Sequence, residues 1–124
     1  MANKIDTKQL AMDIVRWCKK NSCWLDVIIY FDGKALSSSA EWGTDKGKPI
    51  GKDLYEYENK DPRDYFEYVR EPNILSMSFE GDLYYIINGY MGGTLMDDFM
   101  SLFEQYDLYF ELGNAWNLTA YKLH

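Results

Sequence analysis

Any chemistry in a chain this acidic has to come from carboxylates. Asp and Glu number 20 against 13 Lys and Arg, the net charge is −7, and the one histidine, His124, is the last residue. A histidine-dependent triad, a histidine base in the core and a histidine-rich metal site are therefore excluded. Glu67 and Glu71 would stand one turn apart on a helix and can serve as acid and base, although acids at that spacing more often form a solvated helix face. Asp61/Asp64 and Asp97-Asp98 can attract a divalent cation, but neither follows the D-x-[DN]-x-[DN]-G pattern of a calcium loop.

Other residue clusters fail a similar test. Ser37-Ser38-Ser39 offers hydroxyls without a base, and reads as polar strand residues. Gly43 to Lys52 is rich in Gly and Lys but lacks the G-x-x-x-x-G-K-[ST] spacing of a phosphate cradle, so it reads as a mobile loop. Gly92-Gly93 ahead of a helix can hold an anion, yet Asp97 and Asp98 would repel one. Cys18 and Cys23 are not spaced as C-x-x-C and read as two reduced, mostly buried thiols. No nucleotide, haem or flavin motif occurs, so no cofactor is expected.

Length and composition set the frame. A chain of 124 residues, 47% hydrophobic and 17% aromatic, is expected to form one α+β domain with a sizeable core. No apolar run approaches a membrane span, and Met1–Asp6 has no signal core, which makes a cytoplasmic protein the expectation. Net negative charge argues against direct nucleic-acid binding and favours a basic protein partner, or a nucleic-acid-binding protein that reads carboxylates as phosphates.

The elements follow from periodicity. A first helix is expected from about Thr7 to Asn21, capped by Asp6 or Thr7, with Leu10, Ala11, Ile14, Val15, Trp17 and Cys18 inward. Trp24–Phe31 reads as a strand that turns at Asp32-Gly33, pairing Ile29 with Leu36 and Tyr30 with Ala35. Its return strand, Lys34–Trp42, is the expected sheet edge. Asn73–Asn88 reads as a central hairpin, with Leu75, Met77 and Phe79 set against Ile87, Tyr85 and Leu83 around Glu80-Gly81-Asp82. A second helix starts at Thr94 and buries Leu95, Met96, Phe99, Leu102, Phe103 and Tyr106. A last hairpin pairs Leu112 with Trp116 and Phe110 with Leu118. The expectation is a mostly antiparallel, six-stranded sheet of three hairpins with two main helices, ordered α-β-β-(short α)-β-β-α-β-β. The helices are placed on one face, with both faces as the alternative.

Between the first two hairpins, about residues 43–73, lies an insertion with a short helix from Asp61 to about Val69. Its segment 53–72 holds seven acids (Asp53, Glu56, Glu58, Asp61, Asp64, Glu67, Glu71) against Lys60, Arg63 and Arg70. Tyrosines run among them. Tyr55, Glu56, Tyr57, Glu58, Asp64, Tyr65, Glu67 and Tyr68 are the candidate binding residues, tyrosine giving contact area and the acids selecting a basic partner. The competing reading is that the aromatics merely fold the insertion onto the sheet. In size, acidity and lack of a catalytic motif the chain resembles small accessory proteins of bacterial mobile elements, a group that includes antirestriction proteins. No residue motif carries that likeness, so it transfers no site. Three functions stay open: a non-enzymatic interaction domain, a homodimer built on exposed strand edges, and a carboxylate-dependent hydrolase.

Overall fold

The computed structural model describes residues 6–123; His124 and the N-terminal residues 1–5 lie outside that range. Helix α1 (Thr7–Lys20) begins where the Asp6 carboxylate accepts the amide N–H of Gln9 at 3.0 Å, and Lys19 and Lys20 complement its C-terminal end. Leu10, Ala11, Ile14, Val15 and Cys18 recur at helical spacing and are all buried.

Strands β1 (Val27–Phe31) and β2 (Lys34–Ser37) form the expected hairpin, with Ile29 opposite Leu36 and Tyr30 opposite Ala35. Asp32 and Gly33 both take positive φ, as a tight two-residue turn requires. Beyond it, β3 (Glu41–Trp42) and β4 (Asp45–Lys46) make a small separate ribbon. Strands β5 (Lys48–Gly51), β6 (Leu54–Glu58), β7 (Leu75–Phe79), β8 (Leu108–Asn114) and β9 (Asn117–Lys122) complete a seven-stranded sheet with β1 and β2. Its order is β5-β6-β2-β1-β7-β9-β8, and every pairing is antiparallel.

The α+β class and the antiparallel sheet stand, but the count is seven strands rather than six, and several details differ from expectation. The central hairpin does not exist. Asp82–Ile87 is helix α2, with Leu83, Ile86 and Ile87 buried at helical spacing, while β7 pairs with β1 on one side and β9 on the other. The insertion is not an irregular loop, because β4, β5 and β6 lie within it. Strand β6 covers the side of β2 that was expected to be an edge, leaving β5 and β8 outermost. The short insertion helix shrinks to a 3₁₀ turn at Pro62–Asp64, with Asp61 capping the amide of Arg63.

Helix α3 (Gly93–Glu104) starts one residue before the expected Thr94 cap. It buries Phe99 and Phe103, with Leu95, Met96 and Leu102, and Tyr106 just beyond it, packed partly against the core. In the last hairpin Leu112 meets Leu118 and Phe110 meets Ala120, two residues from the expected register, because a bulge near Gly113 lengthens the turn.

The three helices lie on one face of the sheet. Val27, Ile29, Leu36, Leu54, Leu75, Met77, Phe79 and Leu118 point into that layer, alternating with residues of the opposite face. A smaller cluster forms on the other face from Tyr30, Ala35, Tyr57 and Phe66, with Trp42, Tyr55, Val69 and Trp116 beside it. Residues 59–74 strap this second face. The strap is tied by Lys60 N–H to Gly33 O, Arg70 N–H to the Tyr121 hydroxyl and Ile74 N–H to Ala120 O, at 2.9, 3.1 and 2.9 Å.

Cys18 and Cys23 are both buried and unbridged. The neighbouring Cys23 thiol and burial together push the Cys18 thiol well above its ordinary range. A thiol reagent is expected to react slowly with the native protein and to count two thiols at once in denaturant. Two fast thiols without denaturant would mean that the end of α1 is open.

Candidate functional site: an aromatic cleft with an acidic rim

The second face supplies the site. Three segments converge there: the β1–β2 hairpin running into the β3–β4 ribbon, the strap, and the ends of β7 and β9. Between them lies a half-open cleft of about 350 Å³, comparable to the smaller ligand sites of proteins. Its aromatic lining is Tyr30, Trp42, Tyr65, Phe66 and Trp116, and its polar lining is Ser37, Ser38, Ser39, Ser78, Asp26 and Glu80. No Lys or Arg lines it.

The rings form a continuous set. Tyr30 lies 6.0, 5.8 and 5.6 Å from Trp42, Tyr65 and Phe66, and Phe66 lies 5.9 Å from Trp116 edge-on. Edge-to-face contacts at these separations fix the rings more firmly than burial alone. Burial holds the Tyr30 phenol well above its ordinary range, against the opposing effect of the nearby Ser78 hydroxyl, so it stays neutral. The serines are engaged locally: Ser37 Oγ accepts Ser39 N–H at 3.0 Å, and Ser39 Oγ donates to Glu41 O at 2.8 Å. They set the start of the ribbon, and no base stands beside them.

Asp26 and Glu80 are brought to one rim by a backbone contact, Glu80 N–H to Asp26 O at 3.2 Å. Gly81 makes that approach possible, since a Cβ there would lie 2.6 Å from the Leu25 carbonyl oxygen. Backbone cannot step aside as a side-chain tip can. Gly81→Ala is therefore expected to cost about 1–3 kcal/mol in urea unfolding; an unchanged midpoint would mean that this rim is loosely held.

Trp42 carries a cation on its ring. The Lys60 ammonium sits 4.3 Å from the Trp42 ring centroid and 5.9 Å from that of Tyr57, and donates to Asp45 Oδ2 at 2.6 Å. The Lys60 residue is only 8% exposed, and the hydrogen bond to Asp45 raises its pKa above the ordinary value. The Tyr57 hydroxyl donates to Ser39 O at 2.7 Å, and burial pushes its pKa up.

The eight residues expected to form a binding surface are dispersed. Tyr55 and Tyr57 face the second layer, Tyr57 fully buried, whereas Glu56 and Glu58 alternate to the other side of β6. Glu58 lies 4.0 Å from Lys34. Asp64, Glu67 and Tyr68 are exposed on the strap, and only Tyr65 enters the cleft wall. For Tyr57 the bland reading was right: it folds the insertion onto the sheet. Glu67 and Glu71 share no helix, and Glu71 pairs with Arg63 at 3.2 Å in a cleft that takes neither Glu67 nor Tyr68. The shared helix face that would have set the two carboxylates one turn apart is absent.

Sequence reasoning missed Asp26, Tyr30, Trp42, Phe66, Glu80 and Trp116. For Glu80 and Trp116 one signal was available. From Glu71 to Tyr121 the chain has no Lys, Arg or His, yet it carries Glu71, Glu80, Asp82, Asp97, Asp98, Glu104, Asp107 and Glu111. All remaining cations but Lys122 lie before that stretch, so the acidity of the protein is concentrated on α2, α3, β8 and the connections around them. Among the described residues no group of three or more His, Cys, Asp or Glu is placed to hold a metal ion, and no helix is long and apolar enough to cross a membrane. Comparison with protein-family models, curated proteins and solved structures found no match to this chain.

Proposed function

We propose that this is a non-enzymatic interaction domain that recognises a basic protein surface, with the second face of the sheet as its contact face. The observation that carries the reading is the cleft itself: aromatic walls, two carboxylates at the rim and no lining cation. Exposed Asp64, Glu67 and Tyr68 on the adjoining strap would extend the contact. Rigid aromatic anchors surrounded by charge of one sign are the usual means of combining affinity with selection of a partner. Such a domain suits an inhibitory accessory protein of a mobile element, whose target would be a basic or nucleic-acid-binding protein.

The test is a pull-down from nuclease-treated lysate with the native bait and a bait in which Asp64, Glu67 and Glu80, the exposed acids of the strap and the cleft rim, are all changed to Lys. A basic protein retained by the first, released by salt and absent from the second supports the reading. Equal retention by both baits, or by neither, removes it.

A homodimer is the second reading, and β8 is the observation in its favour. It is a seven-residue outer strand with Leu112 42% exposed, unlike β5, whose Pro49 and Lys48 discourage pairing. Strand pairing would use β8, since Lys34–Ser37 is already flanked on both sides. Light scattering across a concentration series separates the two readings, a monomer at micromolar concentration removing the dimer. The hydrolase reading has no comparable support.

A further inference from the structure

We propose that the cleft receives the side chain of a single lysine or arginine of the partner, its cationic head between the Asp26 and Glu80 carboxylates and its alkyl stem against Trp116, Phe66 and Tyr65. This rests on the interaction reading above and names the chemistry that the contact selects.

Two places in the protein itself show the pairing. Lys60 lies over Trp42 and Tyr57 with its ammonium on Asp45, as described above. Arg70 lies over the Tyr121 ring, 4.6 Å from its centroid, with its guanidinium 2.7 Å from Glu111 Oε1. In both, an aromatic face takes the cation from one side and a carboxylate from another. The cleft contains the same two components without a resident cation, although Trp42 is a wall of both the Lys60 site and the cleft.

The selection follows from the components. An aromatic face attracts a cation through its quadrupole, and attracts it more strongly where water is partly displaced. The two carboxylates disfavour an acidic side chain, and an uncharged aliphatic one would leave them unpaired. Long basic side chains satisfy both parts, because their stems pack on apolar surface while their heads stay polar. The cleft is also too open to enclose a small molecule on all sides, which suits a ligand presented from a protein surface.

The probes are blocked tripeptides with Lys, Arg, norleucine or Glu between two glycines, titrated against the full chain while the indole N–H signals are followed by NMR. The Lys and Arg peptides are expected to shift Trp116 and Trp42 in a saturable way, and the norleucine and Glu peptides to leave them in place. Glu80→Gln and Asp26→Asn are expected to weaken the Lys and Arg peptides about tenfold when combined. Asn is chosen at position 26 because the backbone there has φ of 62°, which Asn tolerates. Thermal melting of the double variant checks that it folds, and the single Glu80→Gln variant, at an exposed position, serves if it does not. A norleucine peptide that binds as well as lysine overturns the proposal, and so does a set in which no peptide binds. In the second case a partner lost on charge reversal of the strap and rim acids would leave the broader interaction reading standing. If the peptides bind but no basic partner is retained, that reading falls by itself.

Discussion

Phe99→Ala is expected to lower stability by about 3–5 kcal/mol, the range for truncating a fully buried phenylalanine. Phe99 is fully buried on α3. Its ring centroid lies 5.2 Å from Trp17 of α1, 5.3 Å from Phe103 one turn along and 5.7 Å from Phe110 of β8. One side chain therefore ties two helices to an outer strand. Removing it forfeits burial and leaves a cavity that three large, well-oriented rings cannot close by small shifts. Urea unfolding followed by fluorescence measures the loss, with Met100→Ala as the control, since Met100 is its neighbour in sequence and 41% exposed. The control is expected to stay within about 0.5 kcal/mol of the parent. A loss below about 1 kcal/mol for Phe99→Ala would mean that α3 is not docked as described.

Elements were legible where local pattern and tertiary environment agree. Helix α1 has a cap, a continuous apolar stripe and terminal lysines, and its observed bounds differ from expectation by one residue. The β1–β2 hairpin is set by Asp32-Gly33, which dictates both turn and register. Helix α2 went unread because Leu83, Ile86 and Ile87 fit a helix as readily as Leu83, Tyr85 and Ile87 fit a strand. Six residues are too few for periodicity to decide. What decided is tertiary: both sides of β7 are taken by β1 and β9, leaving no place for a hairpin partner.

The β5 and β6 strands were hidden by their position. Pro49, the glycines and the lysines around β5 are what an edge strand carries to discourage further pairing, and the same residues mark a loop. The site was less legible still. Its lining comes from Asp26, the β1–β2 hairpin, the ribbon, the strap and the ends of β7 and β9. No window of sequence contains more than a fragment of it. Tyr57 and Tyr65 look alike in sequence, yet one is buried under the ribbon and the other is 42% exposed at the cleft. That distinction exists only after the strap has crossed the sheet.

Lys60 is where the wall of the cleft is fastened, and reversing its charge is expected to have the second large effect. The ribbon holds only a short ladder of its own, Glu41 with Lys46 and Trp42 with Asp45. Lys60 reaches it from the start of the strap, its ammonium lying over the Trp42 ring and donating to Asp45. Lys60→Glu would set a second carboxylate against Asp45 and remove the cation from the ring, at a cost of about 2–3 kcal/mol near neutral pH. That figure is discounted from a fully buried pair because Asp45 is 57% exposed on its side chain. Lys60→Met keeps the apolar stem and abolishes the charge, so it is expected to cost less, about 1 kcal/mol.

The pH dependence separates the charge effect from simple loss of packing. In the parent, the folded-state pKa of Lys60 is raised, so its contribution is complete below the unfolded value and fades as pH climbs through the folded one. In the Lys60→Glu variant the introduced carboxyl, crowded by Asp45, has its folded pKa raised in turn. The variant should therefore regain stability, relative to Lys60→Met, as pH falls from 7 towards about 4.5. A gap between the two variants that is constant over that range would place the cost in packing rather than in charge. A gap that closes on acidification places the added cost of Lys60→Glu in charge, at the point beside Trp42 where the ammonium of the parent meets Asp45.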